Sequence, residues 1–191
     1  MKKIVLIGAG ALGSHFALFA RNIPAALTVV DFDRIESKNV TSQFCGKTSS
    51  GKNKAAALPQ TMAFLFGTKV TGVPHRLSPD NDDAILKGAD LVVDCVDNAA
   101  TRRLIQAYAV RTGTPTLHGA LAAGGQYGRV VWSEHFQIDS EDGAGAATCE
   151  DGEFLPFIGL VSAYLAQAAQ RFIKDGKKIG FEVSPAGTIF T

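Results

Sequence analysis

The chain's 191 residues fit one domain, and a hydrophobic fraction of 46% supplies a core, which excludes a disordered or fibrous chain. Lys and Arg number 19 against 18 Asp and Glu, a formal charge of +1, so no basic excess points to nucleic acid or an anionic membrane. Cys45, Cys95 and Cys149 are sparse and far apart, which argues against a disulfide framework or a four-cysteine zinc site and suits a cytoplasmic protein.

Residues 4–7 are a continuous apolar run, the pattern of a strand buried on both faces of a parallel sheet. They lead straight into Gly8-x-Gly10-x-x-Gly13. A helix follows, with Phe16, Phe19, Ala20 and Ile23 at spacings of three and four and Pro24 as its end. A second strand over 27–30 closes on Asp31. Residues 33–53 are polar and predict a long loop. A helix is expected over 55–66, with Pro59 kinking it or marking its start. Strands are expected over 70–77 and 91–93, with a helical turn at 84–86 between them. The next helix carries Leu104, Ile105, Tyr108 and Arg111 and stops at Gly113.

Further strands are expected over 116–121 and 127–132. Residues 139–153 have the composition of a flexible crossover segment, and 155–173 form a long helix that is apolar nearly all round. A last strand is expected over 179–183. Its longest apolar stretch falls short of the ~20 residues of a membrane span. Alternating strands and helices predict one α/β domain over 1–191, Rossmann-like, its mainly parallel sheet covered by helices on both faces.

The glycine spacing after a strand and before a helix lets the backbone turn tightly and approach a phosphate at the positive end of a helix. Asp31, at the end of the second strand, is placed to bind a ribose hydroxyl. Together they point to an adenosine nucleotide at the first strand–helix turn. Residues 46–53 nearly match a P-loop, but Asn53 stands where a magnesium-binding hydroxyl belongs and no buried strand precedes it, so a solvated loop is expected. The four histidines show no ligand spacing and read as structural.

Beyond Asp31 the sequence Asp31-Phe32-Asp33-Arg34-Ile35-Glu36-Ser37-Lys38-Asn39-Val40-Thr41-Ser42-Gln43 resembles a signature of the ThiF/MoeB/HesA family, bacterial relatives of the ubiquitin-activating enzymes. Gly51 and Lys54 resemble its G-x-x-K segment. Asp90, Val92, Asp94, Asp97, Asn98 and Arg102 resemble its D-x-V-x-D-x-x-D-N-x-x-x-R segment. Residues 119–128 are similar to its glycine-rich strand pair, and 148–159 to the segment with its cysteine and following helix. The similarity runs in order over most of the chain.

The resemblance implies adenylylation, with ATP and Mg2+, of the C-terminal glycine of a ubiquitin-like or sulfur-carrier protein, a small β-grasp partner ending in Gly-Gly. It implies that Gly8, Gly10 and Gly13 contact phosphates, Asp31 and Asp33 line the ribose side, and Lys54 meets the phosphates. Asn39 and Asn98 would hydrogen-bond nearby, and Asp97 would bind the metal. Cys149 would accept a thioester or persulfide, and the chain would form a homodimer through the excess apolar surface of its long helix. Ser42 stands where the family pattern has arginine. Two alternatives fit part of the pattern. One is a non-catalytic member that binds nucleotide or carrier, favoured by Ser42; the other is an NAD-dependent oxidoreductase, which explains residues 8–31 only.

Overall fold

Alternation within the first strand decides how the chain is layered. In β1 (Lys2–Ile7), Ile4 and Leu6 enter one apolar cluster while Val5 and Ile7 enter another, so both faces of the strand are buried. Such a strand belongs at the centre of a sheet covered on both sides. The computed structural model describes residues 1–122, 124–138 and 152–191. In it β1 pairs in parallel with β2 (Ala25–Val30) on one side and β4 (Leu91–Asp94) on the other.

Parallel pairing extends outward to β3 (Val70–Val73) and β5 (Thr116–Leu121). From β5 the sheet continues antiparallel through β6 (Gly128–Trp132), β7 (Phe181–Ser184) and β8 (Gly187–Phe190), giving the order β3-β2-β1-β4-β5-β6-β7-β8. The expected α/β Rossmann-like architecture is present, and β8 is an addition to it. Residues 187–190 follow a tight glycine turn and offer too few apolar alternations to announce a strand.

Helices α1 (Ala11–Phe19), α2 (Lys54–Phe66) and α5 (Leu155–Asp175) cover one face with Leu12, Phe16, Leu58, Met62, Ile158, Val161 and Leu165. Helices α3 (Asp82–Leu86) and α4 (Ala99–Thr112) cover the other with Leu86, Ile105 and Tyr108. Each such aliphatic side chain, once buried, contributes roughly 1.5–3 kcal/mol. α5 also docks on α1 by a hydrogen bond from Ser162 Oγ to the Leu12 carbonyl, 3.2 Å.

Pro59 does not start α2, which begins at Lys54. It lies inside the helix, and without an N–H it gives Ala55 O no bond. Gly72 of β3 packs against that carbonyl so closely that a Cβ would stand 1.9 Å from it. The proline and the glycine together let helix and strand meet backbone to backbone. α4 ends as expected on a left-handed Gly113, φ 70°.

The chain leaves β1 toward β2 on one side and returns through β4 on the other. The carboxyl ends of β1 and β4 therefore flank the point where strand order reverses, the usual ligand crevice of an open α/β sheet. The expected crossover over 139–153 lies almost wholly outside the described residues.

Candidate functional site

The three glycines of the first turn do different things. Gly8 takes φ 91°, and a Cβ on it would come within 2.9 Å of the Cys95 carbonyl. Gly13 passes beneath Gly8, where a Cβ would lie 1.9 Å from the Gly8 oxygen. Both are required by packing of the chain on itself. Gly10 has nothing within 4 Å of its Cβ position and N-caps α1 with no side-chain cap. The first-turn amides of α1 thus open onto free space that only a hydrogen at Gly10 keeps clear, a cradle for a phosphate.

Asp31 is 8% exposed and bridges two backbone segments. Its Oδ2 accepts the Ala9 N–H at 2.6 Å, and its Oδ1 accepts the Asp33 N–H at 2.8 Å. Burial pushes its carboxyl above the usual range, against the pull of those two amides and of Lys54.

Asn53 is the joint of this region. Its Oδ1 accepts the Ala56 N–H at 3.0 Å and so caps α2. Its Nδ2 donates to the carbonyls of Asp31 and Asp33, at 3.0 and 3.1 Å. The residue that spoils the P-loop match is thus what seats Lys54 at the first turn of α2. The Lys54 side chain, 12% exposed, lies with Nζ 3.5 Å from Asp33 Oδ2. Asn39 is buried, and its Oδ1 accepts the Glu36 N–H at 2.8 Å within a reciprocal cap of the 3-10 turn Ser37–Thr41.

Ser42 ends that turn with no exposed surface, and its Oγ has no hydrogen-bond partner among the described residues. Arg34 and Arg21 each donate to local backbone, Arg34 to the Gly51 carbonyl at 2.7 Å and Arg21 to the Leu18 carbonyl at 2.7 Å.

Across the crevice, Cys95 N–H donates to the Ile7 carbonyl at 2.9 Å, bringing the end of β4 beside the glycine turn. Burial and the Asp94 charge push the Cys95 thiol well up, as befits an inert core thiol. Asp97 is exposed, and among the described residues its carboxylate has no hydrogen-bond or ion-pair partner. Asn98 caps α4, accepting the Thr101 N–H at 2.9 Å.

Behind this loop lies a buried chain absent from the sequence reading. His118 Nδ1 meets Asp94 Oδ2 at 2.7 Å, His118 Nε2 meets Ser133 Oγ at 3.2 Å, and Arg102 Nε stands 4.0 Å from Asp94 Oδ2. The motif residue Arg102 is turned into the fold rather than toward the crevice. The signal for Asp94 and His118 was a polar residue on each of two apolar strands, Asp94 ending β4 and His118 within β5; their direct pairing depends on the β4–β5 register. Cys149 lies outside the described residues.

These groups fit an adenosine triphosphate: a clear cradle at Gly10, a buried carboxylate at the end of β2 and a mostly buried lysine. They also fit magnesium. Among the described residues no three His, Cys, Asp or Glu side chains form a cage. A single uncommitted carboxylate suits a hard cation that keeps its waters and takes its other ligands from phosphates.

Fold and turn together define a Rossmann-type α/β domain. The chain belongs to the ThiF family, whose sequence profile matches residues 1–188. It is 35% identical over 190 residues to the adenylyltransferase and sulfurtransferase MOCS3 of Dictyostelium discoideum, covering 92% of this chain and 44% of that one. It is 29% identical over 197 residues to the sulfur carrier protein ThiS adenylyltransferase of Bacillus subtilis (strain 168), covering 96% and 56% respectively. A crystal structure of E. coli MccB with AMPCPP and MccA has the same fold, TM-score 0.80 at 16% identity, over 100% of this chain and 62% of that one. The chain spans about half the length of the curated relatives it matches.

Proposed function

We propose that the chain adenylylates the C-terminal glycine of a small ubiquitin-like or sulfur-carrier protein, with ATP as co-substrate and Mg2+ as the metal. The observation that carries this is the open position at Gly10 facing the first turn of α1, beside Asp31 and Lys54 and across from an uncommitted Asp97. The names of the adenylyltransferase relatives support it.

In the reaction the carrier's terminal carboxylate forms a bond to the α-phosphorus, and the bond to the bridging oxygen breaks. Pyrophosphate leaves with that electron pair. Anion meets anion, so fixed donors and cations must stabilise the charge that develops. The α1 amides and Lys54 hold the phosphates, Asp31 with Asp33 sets the ribose, and Asn39 and Asn98 keep the flanking turns in shape. Asp97 holds the metal, which would neutralise phosphate charge when bound. Cys149 is assigned the later transfer, its thiolate attacking the acyl-adenylate carbonyl to form a thioester as AMP leaves, or carrying a persulfide whose outer sulfur is transferred from a persulfide donor protein that leaves as its thiol. The assembly is a cytoplasmic homodimer, with Leu155 and Leu160 of α5, 37% and 41% exposed, on the face left to the second copy.

The test is ATP–pyrophosphate exchange with a panel of purified β-grasp carriers ending in Gly-Gly. Exchange that needs both carrier and magnesium is expected. A chain that binds ATP and magnesium yet exchanges with none of them is instead a non-catalytic member, the second reading, which the enclosed Ser42 at the family's arginine position favours.

A further inference from the structure

Val96, the residue before Asp97, has both of its peptide groups held from inside the fold. Its N–H donates to Asp94 Oδ1 at 2.9 Å, and its carbonyl accepts from Arg102 Nε at 3.1 Å and Nη2 at 2.6 Å. The same Nη2 reaches the Gly119 carbonyl at 3.2 Å, so one planar guanidinium ties the loop after β4 to β5. Asp94 gives its other oxygen to His118. Asp94 and His118 have no exposed surface, and the ring of Phe136 lies flat on the imidazole, centroids 4.1 Å apart and planes 6° from parallel.

An ionised carboxylate only accepts, so the imidazole meets Asp94 through a proton on Nδ1, while Nε2 lies within hydrogen-bond distance of the Ser133 hydroxyl. The order Ser–His–Asp is that of a hydrolase triad. Here the imidazole is sealed beneath Phe136, which shuts substrate out and leaves it a structural task. What the chain of bonds fixes is the pair of peptides flanking Val96, and the second of them leads into Asp97. On the other side Asn98 is fixed as the cap of α4. Among the described residues the Asp97 carboxylate makes no hydrogen bond or ion pair that would hold it.

Resting on the role proposed above for Asp97, we infer that His118, Asp94 and Arg102 are positioning residues that hold the Asp97 carboxylate in place for a divalent cation. Groups that orient a metal ligand in this way change metal affinity roughly 10–100-fold when removed.

The test titrates the full chain calorimetrically with ATP alone and with ATP plus MgCl2, in wild type, His118→Gln, Arg102→Lys, Asp97→Ala and the double variant H118Q/D97A. The expected result is a loss of about tenfold or more in ATP affinity with magnesium for His118→Gln and Arg102→Lys. Affinity for ATP alone stays within about twofold of wild type. Asp97→Ala removes the magnesium increment, and adding His118→Gln to it removes nothing more. Arg102→Lys keeps the test alive if His118→Gln does not fold. A normal magnesium increment in the folded variants overturns the proposal alone, as does an equal loss with and without metal, or a further loss in the double variant. A wild-type chain without any magnesium increment overturns the role of Asp97 and the proposal together.

Discussion

Gly13 lies so close beneath Gly8 that a Cβ on it would stand 1.9 Å from the Gly8 carbonyl oxygen, while between them in the same motif nothing lies within 4 Å of that position on Gly10. The two glycines of one motif should therefore respond oppositely to alanine. Gly13→Ala must displace backbone, which destabilises by about 1–3 kcal/mol or more. Gly10→Ala, whose φ of −74° suits any residue, should melt like wild type and lose its stabilisation by ATP. Thermal melts of both variants with and without ATP–Mg decide it. A Gly10→Ala chain that keeps its ATP shift would place the nucleotide elsewhere.

Asn53 donates to two carbonyls and accepts one amide. Asn53→Asp keeps the cap on α2 but cannot donate, so the Asp31 carbonyl loses this donor while the Asp33 carbonyl keeps the Lys54 N–H at 2.8 Å. A loss of about 1–3 kcal/mol is expected, or roughly 2–10 °C in Tm for a chain of this size. If Asn53→Asp matches wild type in a urea melt, the residue is a cap and no more.

Burial raises the Asp31 carboxyl from its ordinary value of 3.8, so the folded chain holds this proton more tightly than the unfolded one. The sign follows from linkage: Asp31's contribution to stability is full below the unfolded value and is lost as pH rises through the folded one. Asp31→Asn does not titrate. The stability of wild type minus that of Asp31→Asn should therefore fall as pH is raised from below 3.8 through the raised folded value, measured by urea unfolding at each pH. A difference that grows with pH would show that the two amide bonds outweigh burial.

Ser42 buries a hydroxyl that finds no partner among the described residues. Ser42→Ala should raise stability by about 1 kcal/mol, or roughly 2–4 °C in Tm. Ser42→Arg has no open space at its own position and should lower Tm, because the long side chain must push the turn aside. A lower Tm for Ser42→Ala would mean that its hydroxyl has a partner after all.

Much of this was legible in the sequence for definite reasons. β1 and β4 could be read because strands buried on both faces are apolar without interruption, and Gly113 because a helix end favours a left-handed glycine. Asp31 was legible because the end of the second strand after a glycine turn is a fixed place. What hid were relationships between distant segments. The sheet register sets Asp94 beside His118, and no spacing within either strand could reveal that. Asn53 was misleading for the opposite reason: it resembled a failed phosphate loop, while its work is to join α2 to the ends of Asp31 and Asp33. Pro59 predicted a kink in α2 or its start because a missing N–H usually opens a helix; the helix instead starts at Lys54, and Gly72 lets β3 pack against the unbonded Ala55 carbonyl.

The crevice at Gly10, Asp31 and Asp97 is proposed above to take ATP with magnesium. The direct measurement is a thermal-shift titration of the full chain with ATP–Mg, with ATP and chelator, and with NAD. At a hundred times its dissociation constant a ligand stabilises the fold by about 2.7 kcal/mol, roughly 5–10 °C here. A shift of that size with ATP that shrinks without magnesium, and none with NAD, is the predicted result. A shift with NAD alone, or no shift with any of the three, would contradict the account.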